Sequence, residues 1–490
     1  MTSLWHATGP SIDFDEAAQR SAHTIVVGAG ITGLATAVLL ARQGASVVVL
    51  EARTIGSVAT GNTTAKLSLL QGDRLHRIER LARADAVQAF VEGSRAGQRF
   101  LLEMLERRGE SFELRPAVSY ASTLEGAQSL ERELAAAQRH GLPVTEGGAA
   151  TLPFETAGAI ELADQAQLQP MTVLAALAAE LREHGGSIVR ATVRGVRRAG
   201  PGVEVETDDG PWRAETAVLA TGSPVPARVT SALLEATRSY AAAYRSASSL
   251  PQSMALSVDS PSRSLRTASS ADGEVLVAGG PGHAVGRHAD PRRLVAELDG
   301  WVRSHWPDAE RTHVWSAQDY RTPDRLPWIG GRPGSGARVL LATGFDKWGM
   351  TGGTLAALAL AGRIAGAEPA WARTLRRRGI TPAAAGRTFG AVGAVAAAEL
   401  RTVPGALAPA ATPPEGEGRL GRRGVRLVAT STVEGRTREI SAICPHVGAL
   451  VAWNAQERSW DCTAHGSRFA PDGARLEGPA ACPLRALRRA

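Results

Sequence analysis

The sequence is poor in cysteine and lysine, and both shortages narrow what the chain can be. Cysteine occurs only three times among the 490 residues, at Cys444, Cys462 and Cys482. An odd and low count does not suit a disulfide framework and fits a reducing compartment. Lysine occurs only at Lys66 and Lys347, so arginine carries nearly all of the positive charge. Because lysine and arginine are not interchangeable where a compact charge is needed, both lysines are candidates for a functional site.

Long hydrophobic runs are also missing. No apolar stretch approaches the roughly 20 residues of a membrane-spanning helix, and the N-terminal stretch MTSLWHATGPSIDFDEAAQR lacks the apolar core of a signal peptide. The net charge of +7 and the sequence pI of about 10.0 are compatible with nucleic-acid binding. However, no basic stripe alternates with aromatic residues. We therefore expect a cytoplasmic protein with no membrane span and no nucleic-acid partner.

The composition divides the chain into four parts. Residues 1–21 are interpreted as an N-terminal tail, and residues 22–370 alternate apolar strands with amphipathic helices, which is typical of an α/β domain. Residues 371–402, rich in alanine, arginine and glycine, are predicted to form a helical or linker segment. Residues 403–490 contain short strands broken by glycine and proline, which predicts a small all-β domain.

A dinucleotide-binding fingerprint lies at the start of the α/β domain. Residues 24–53 read TIVVGAGITGLATAVLLARQGASVVVLEAR: a strand, the turn Gly28-x-Gly30-x-x-Gly33, a helix and a second strand that ends at Glu51. The first glycine permits the tight turn, the second lets the backbone approach a pyrophosphate, and the third lets helix and strand pack closely. Glu51 is in position to accept hydrogen bonds from ribose hydroxyls. The predicted contacts in this segment are Gly28, Ala29, Gly30, Thr32, Gly33, Glu51, Ala52 and Arg53.

The fingerprint alone fits NAD as well as FAD, and a resemblance separates the two. Strand-end glycine turns occur at AVLATG, residues 217–222, and at VLLATG, residues 339–344, and the second continues as FDKWGMTGGTLAALALAGRIAG. This resembles the C-terminal flavin motif of the glycine/D-amino-acid oxidase superfamily, in which a helix N-terminus faces the flavin pyrimidine and stabilises its negative charge. The resemblance implies FAD as the cofactor, with further contacts from Thr63, Thr64, Lys66, Gly222, Gly344, Gly349, Met350 and Thr351.

Four residues are candidates for the substrate side of this site. Lys347 and Trp348 precede the flavin-facing helix, where the resemblance implies a basic residue near the flavin and an aromatic wall. A surface lysine and a core tryptophan are the alternatives. Arg266, in the stretch PSRSLRTA, is a candidate carboxylate clamp or else a brace for the sheet. His283, in GGPGHAVG, is a candidate for the lining of the flavin pocket.

A second motif lies near the C-terminus. Residues 444–467 read CPHVGALVAWNAQERSWDCTAHGS and contain Cys444-x-His446 followed, after 15 residues, by Cys462-x-x-His465. This is the Rieske pattern, in which two thiolates bind one iron of a [2Fe-2S] cluster and two imidazoles bind the other. A structural zinc site shows C-x-x-C pairs or H-x3-5-H spacing instead. We expect Cys482 to be a buried small residue rather than a ligand.

Together, these segments resemble the bacterial family of FAD-dependent oxidoreductases with a fused C-terminal Rieske domain. The resemblance implies a Rossmann-like FAD-binding domain with an inserted antiparallel substrate sheet, followed by a small all-β Rieske domain. It implies a flavin domain of the amine-oxidising type but no known substrate. Our leading hypothesis is oxidation of an amine, an amino acid or a related small molecule, with single electrons passing from flavin to cluster and then to an external acceptor protein.

The direction of electron flow and the final use of the electrons leave several functions open. Ordinary amine oxidases use oxygen directly and need no cluster, which favours a dehydrogenase over an oxidase. A flavin and Rieske reductase module that serves a partner enzyme is a second interpretation. A redox sensor is a third, and turnover with a substrate separates it from the other two.

Overall fold

A computed structural model of the chain describes residues 1–223, 233–270 and 273–487. The strands of its first sheet are β1 (Ser21–Val27), β2 (Val47–Glu51), β7 (Ser187–Arg190), β8 (Val193–Ala199), β9 (Gly202–Thr207), β10 (Trp212–Leu219), β16 (Trp328–Gly331) and β17 (Val339–Thr343). The order across the sheet is β16-β17-β10-β1-β2-β7, and β8 and β9 extend it as a hairpin beside β10. The strands from β17 to β7 are parallel. Both faces are covered, so these strands are almost continuously apolar, as in the VVVL run of β2.

A second, mostly antiparallel sheet is inserted into this framework. Its strands are β3 (Lys66–Leu67), β4 (Glu113–Ala121), β5 (Thr145–Glu146), β6 (Gly158–Gln167), β11 (Glu235–Arg245), β12 (Met254–Ser257), β13 (Ser264–Ser270), β14 (Gly273–Ala284) and β15 (Glu310–Arg321). The order is β15-β11-β14-β13-β12-β4-β6-β3, with β5 beside β6. The pairing of β12 with β4 is parallel. This sheet is the predicted antiparallel insertion.

The helices cover the two sheets. They are α1 (Leu4–Thr8), α2 (Ile31–Ala41), α3 (Arg74–Glu79), α4 (Ala84–Arg107), α5 (Leu124–Arg139), α6 (Pro170–Glu183), α7 (Arg292–His305), α8 (Gly349–Ile364), α9 (Ala370–Arg377) and α10 (Pro382–Leu407), with single 3-10 turns at Thr60–Asn62 and Ala149–Thr151. α2 follows β1 and α8 follows β17, so both helices begin at the carboxyl edge of the first sheet. A Cβ atom on Gly353 of α8 would lie 2.7 Å from Oγ1 of Thr32. The two helices therefore approach closely near their N-termini.

The N-terminal segment is not a free tail, contrary to the interpretation of its composition. Leu4 and Trp5 are each only 1% exposed and belong to the main hydrophobic core. The Trp5 indole donates a hydrogen bond to the carbonyl of Thr63 at 2.6 Å, and Oγ of Ser3 donates to the carbonyl of Gly61, also at 2.6 Å. A buried tryptophan stabilises a fold by about 3 kcal/mol or more, which explains why this polar segment is held in place.

The C-terminal part is all-β, as predicted. Its strands are β18 (Gly418–Arg423), β19 (Arg426–Val433), β20 (Arg436–Ser441), β21 (Val451–Asn454), β22 (Ser459–Cys462), β23 (Arg468–Phe469) and β24 (Arg475–Glu477). They form two antiparallel sheets, β18-β19-β20 and β21-β22-β23-β24, around a core of their own. The predicted α/β fold with a small all-β domain is therefore confirmed. In the described residues, no helix is both long and apolar enough to cross a membrane.

Candidate functional site

The glycine fingerprint forms a tight turn between β1 and α2. Gly28 has a φ of 106°, in the left-handed region that favours glycine. A Cβ atom on Gly33 would lie 1.9 Å from the carbonyl oxygen of Gly28, so only glycine allows α2 to pack this closely on the turn. Gly30 is the N-cap of α2 and has no side chain to cap the helix. The N–H of Ile31 donates to Oγ1 of Thr60 at 3.2 Å, and the N–H groups that follow it in the first turn can receive a phosphate.

Glu51 is the last residue of β2 and lies beside this turn. Its Oε2 accepts a hydrogen bond from the N–H of Ala29, and its Oε1 accepts one from the N–H of Arg53, both at 2.9 Å. These bonds hold the carboxylate beside the glycine turn. Each carboxylate oxygen has a second lone pair, so Glu51 can still accept a hydrogen bond from a sugar hydroxyl.

A cavity of about 950 Å³ opens in front of the fingerprint. The predicted contacts that line it are Gly28, Gly30, Thr32, Glu51, Ala52, Arg53, Thr63, Thr64, Lys66, Gly222, Lys347, Trp348, Gly349 and Met350. The predicted contacts that do not line it are Ala29, Gly33, Gly344 and Thr351. Of these four, Thr351 is engaged within the protein, because its Oγ1 donates to the carbonyl of Ser68 at 3.1 Å.

The two lysines have different surroundings although both line the cavity. Nζ of Lys66 donates hydrogen bonds to the carbonyl of Ala255 at 2.6 Å and to Oγ of Ser264 at 2.8 Å. Burial lowers the pKa of Lys66 well below its usual value, and Arg266 lowers it further. Lys347 instead extends into the cavity, where a Cβ atom on Gly282 would lie 2.8 Å from its Nζ. Lys347 is therefore the lysine that can reach a bound molecule.

Lys347 is held by a strained turn and by Asp319. Asp346 and Lys347 have φ values of 49° and 71°, and two consecutive non-glycine residues in this region store backbone strain. The N–H of Lys347 donates to Oδ2 of Asp319, and the N–H of Tyr320 donates to Oδ1 at 2.7 Å. Burial raises the pKa of Asp319 to about 6. Burial also lowers the pKa of Lys347, and Arg321 adds to this effect.

A group of arginines surrounds Asp346 beneath this turn. Nε of Arg321 lies 2.7 Å from Oδ1, Nη1 of Arg325 lies 3.1 Å from Oδ2, and Nε of Arg74 lies 3.9 Å from Oδ2. Burial alone would raise the pKa of Asp346, but the three arginines lower it to about 2. This end of the cavity therefore carries an excess of positive charge.

Two of the predicted catalytic residues, Arg266 and His283, do not line the main cavity. Arg266 does not line the cavity, and its guanidinium donates to the carbonyls of residues 64, 65, 168 and 267 at 2.8–3.0 Å. It is the brace for the sheet, and burial lowers its pKa to about 9. His283 also lies outside the lining; its ring stacks on Tyr240, with centroids 5.9 Å apart. Side chains alternate across a strand, and Arg266 and His283 point away from the cavity.

The four Rieske-pattern residues come together in the C-terminal domain. Cys444 and Cys462 are fully buried, and the rings of His446 and His465 are 5.1 Å apart and nearly perpendicular. Hydrogen bonding to Cys462 is the main cause that lowers the pKa of the Cys444 thiol. Nδ1 of His465 is buried and has no hydrogen-bond partner among the described residues.

The donor set consists of two thiols and two imidazoles, as the Rieske pattern requires. Among the described residues, no three His, Cys, Asp or Glu side chains converge as one metal ion would require. A Rieske cluster needs only two protein ligands at each iron, because bridging sulfides complete the coordination. The side chain of Ser467 also hydrogen-bonds Cys444 and contributes to the lowering of its pKa. Cys482 is exposed, so the expectation that it is buried was wrong.

The second ligand loop is docked on the flavin-side domain. Arg287 donates hydrogen bonds to the carbonyls of Thr463 at 2.7 Å and Ala464 at 3.0 Å, between the ligand positions Cys462 and His465. Nε2 of Gln318 donates to the carbonyl of Gly466 at 2.8 Å. Gln318 also lines the main cavity, so one side chain connects the cavity wall to the loop that carries Cys462 and His465.

A buried ion network joins the two domains beside this loop. Arg238 of β11 pairs with Glu457 and with Glu477, the latter at 3.0 Å. Arg468 pairs with the same two glutamates at 2.7 and 3.0 Å and with Asp461 at 3.0 Å. For Glu457, burial alone would raise the pKa, but the two arginines outweigh it and lower the pKa below its usual range.

The all-β domain also closes the main cavity. Residues 474–478 and Pro483 belong to its lining. Nη1 of Arg53, directly after the fingerprint, donates to the carbonyl of Leu476 at 2.6 Å. The contacts of Gln318, Arg287 and Arg238 with this domain escaped the sequence analysis, because they carry no local spacing signal. Gln318 and Asp319 do fall in the stretch WSAQDYRTPDRLPWIG at residues 315–330.

Known proteins resemble the chain in sequence and in fold. A Bacillus subtilis (strain 168) protein named "Putative Rieske 2Fe-2S iron-sulfur protein YhfW" is 27% identical over 479 residues, 94% of this chain and 92% of that protein. The chloroplastic cytochrome b6-f complex iron-sulfur subunit of Bigelowiella natans is 47% identical over 45 residues, 9% of this chain and 18% of that protein. Glycine oxidase from Geobacillus kaustophilus shares the fold, with a TM-score of 0.58 and 20% identity over 72% of this chain and 96% of its own. Residues 23–363 match the model of a family described as FAD dependent oxidoreductase, and since this match spans most of the sequence, the chain belongs to that family.

Proposed function

We propose that this chain oxidises an amine, an amino acid or a related small molecule and delivers the electrons singly to an external acceptor protein. An amine substrate loses two electrons and two protons and becomes an imine, and the acceptor takes one electron in each of two steps. Bound FAD supplies a two-electron acceptor that also releases single electrons, and a bound Rieske cluster supplies a one-electron relay.

The main cavity supports FAD binding through its donors. The N–H groups at the start of α2, behind Gly28 and Gly30, would hold the pyrophosphate, and Glu51 would hold a ribose. The N-terminus of α8, with Trp348 as its N-cap, would face the flavin pyrimidine. Lys347 extends into the cavity and would stabilise a negative charge on the cofactor or hold a substrate carboxylate.

The C-terminal domain supports cluster binding. Cys444 and Cys462 would hold one iron, and His446 and His465 the other. The buried, unpartnered Nδ1 of His465 is the strongest support, because a buried ring nitrogen without a partner is costly unless it ligates a metal.

The contacts of Gln318 are the main support for the proposal that electrons pass between the flavin site and the cluster site. This side chain lines the main cavity and donates to the carbonyl of Gly466, the residue after His465. Arg287 and the Arg238 network hold the same loop against the flavin-side domain. The docked loop gives electrons an exit other than oxygen, which favours a dehydrogenase.

Anaerobic reduction of the purified holoprotein tests this proposal. A panel of amines and amino acids is added under argon, and visible absorption and low-temperature EPR spectra are recorded. We expect the flavin band to bleach first and a reduced-Rieske EPR signal to follow. In the Cys444→Ser variant, the flavin should bleach with the same substrate without the EPR signal. Bleaching with a persistently oxidised cluster contradicts the internal electron route, and no bleaching with any compound contradicts the substrate class.

A further inference from the structure

A second cavity, of about 640 Å³, lies beside the main one and is rich in arginine. The two cavities share Arg77, the loop 258–260 and Arg325 in their linings, so they adjoin each other. We call the second cavity the arginine vestibule. Its lining comes from α3 and the residues after it, from α5, from the first turns of α10 and from the shared loop. The arginines in it are Arg77, Arg80, Arg132, Arg325 and Arg387.

Three of these arginines are uncommitted. Within the described residues, the guanidinium groups of Arg80, Arg132 and Arg387 have no ion pair and no hydrogen bond, and all three residues are exposed. The other two arginines of the vestibule are paired, Arg77 with Asp73 and Arg325 with Asp346. Three guanidinium groups without partners therefore border one cavity, and they come from the end of α3, from α5 and from α10.

The carboxylates that line the vestibule do not balance this charge. They are Glu125 and Asp259. Asp259 is already engaged, because it accepts hydrogen bonds from the N–H of Ser122 and from Oγ1 of Thr123, both at 2.6 Å. Since Asp73 and Asp346 neutralise Arg77 and Arg325, three unpaired arginines face these two carboxylates, and the surplus of positive charge lies in a concave space where field lines concentrate.

The positive charge continues from the vestibule into the main cavity. Arg325 belongs to both linings, and Arg321 and Lys347 line the inner one. Burial lowers the pKa of Arg325 to about 10; Asp346 opposes this effect, while Arg321 and Arg387 add to it. Arg325 is therefore affected by the positive charge of Arg387 in the vestibule and of Arg321 in the main cavity. Positively charged side chains therefore line both cavities as well as their common wall.

We propose that the arginine vestibule is a binding site for the distal anionic group of the substrate, a carboxylate or a phosphate. This inference rests on the proposed function and narrows its substrate class to amines or amino acids that carry such a second anionic group. Arg80, Arg132 and Arg387 bind that group, since guanidinium forks match the oxygens of carboxylates and phosphates in pairs. The reacting end of the substrate extends through the shared opening toward Lys347.

Citrate, which carries three carboxylates, is the first probe. Its affinity for the holoprotein is measured by isothermal titration calorimetry at about 20 mM salt, where surface charges are weakly screened. We expect binding to the wild type and about tenfold weaker binding to the triple variant Arg80→Gln, Arg132→Gln, Arg387→Gln. Acetate, with one carboxylate, should bind far more weakly to both.

The matched control carries Arg293→Gln, Arg303→Gln and Arg436→Gln, which remove the same three charges at exposed positions outside the linings of both cavities. It should bind citrate like the wild type. Since the three vestibule arginines have no partners, the triple variant should also unfold at the temperature of the wild type. Equal citrate affinity in the triple variant and the control overturns the proposal.

Substrate preference gives the second measurement. The rate of anaerobic flavin bleaching is compared for glutamate and glutamine, aspartate and asparagine, and O-phosphoserine and serine. The anionic member of a pair should react faster in the wild type, and the triple variant should lose about tenfold of that preference. A preference that survives unchanged in the triple variant also overturns the proposal. If no compound bleaches the flavin, the proposed function fails. The citrate titration then still shows whether the vestibule binds an anionic group.

Discussion

Arg238 and Glu457 form a buried ion pair across the boundary between the flavin-side domain and the small all-β domain. Nη2 of Arg238 lies 2.6 Å from Oε2 of Glu457, and the two side chains are only 5% and 7% exposed. A buried pair costs desolvation, so its net contribution to folding is modest, but loss of one partner leaves an uncompensated charge in the interior. The pair therefore fixes one docked arrangement of the domains more than it strengthens either of them.

Substitution of Arg238 by methionine tests this role. The substitution leaves Arg468 as the remaining partner of Glu457 and Glu477, and we expect a loss of about 3 kcal/mol in the free energy of unfolding. Urea titration measures this loss, and faster proteolysis at residues 408–417, which connect the domains, reports undocking. The control is Arg245→Met on the same strand, whose exposed pair with Glu310 is worth less than about 1 kcal/mol. Equal losses in both variants would contradict a buried inter-domain network.

The buried Asp319 makes stability depend on pH. Its pKa is raised to about 6 in the folded protein, against about 3.9 in the unfolded chain. Because the folded pKa is the higher one, the folded state retains the proton over this range, and the resulting stabilisation is lost as the pH rises from about 4 to about 6. Asp319→Asn removes this dependence, so the variant should gain about 3 kcal/mol relative to the wild type between pH 4 and 7. Urea titrations at both pH values measure the gain, and Asp85→Asn, at an exposed position, should gain nothing.

Arg287 places a positive charge beside the cluster-binding loop through its bonds to Thr463 and Ala464. A cation near a cluster stabilises the reduced state, in which the cluster carries one more negative charge. We expect Arg287→Gln to lower the reduction potential of the cluster by several tens of millivolts. A redox titration followed by EPR measures this shift, with Arg293→Gln as the control of equal charge. An unchanged potential in Arg287→Gln would show that this charge does not act on the cluster.

The sequence predicts best those features that local spacing encodes. Gly28 and Cys444 belong to motifs in which each residue has a fixed place relative to its neighbours, so both were found without any knowledge of the tertiary structure. Arg266 was different, because its role depends on which side of β13 it faces. Its guanidinium lies 5.0 Å from the ring of Trp5, a residue of the N-terminal segment, and no local pattern predicts that contact.

The inter-domain contacts were out of reach for the same reason. Gln318 and Gly466 are 148 residues apart, and neither shows a spacing that points to the other. The N-terminal segment was interpreted as a tail because its composition is polar, although Leu4 and Trp5 are buried in the core. Polar segments that are fixed by one or two large apolar residues give almost no compositional signal.

Two cysteines of the small domain provide the sharpest test of the cluster. Cys444 is fully buried beside Cys462, whereas Cys482 is exposed. Cys444→Ser should lose the Rieske EPR signal and the roughly two iron atoms per chain that a [2Fe-2S] cluster contains, because a serine hydroxyl is a poor substitute for a thiolate. Cys482→Ser should retain both, and iron analysis together with EPR of the reduced proteins measures the difference. A cluster that survives in Cys444→Ser, or one that disappears in Cys482→Ser, would contradict the ligand assignment.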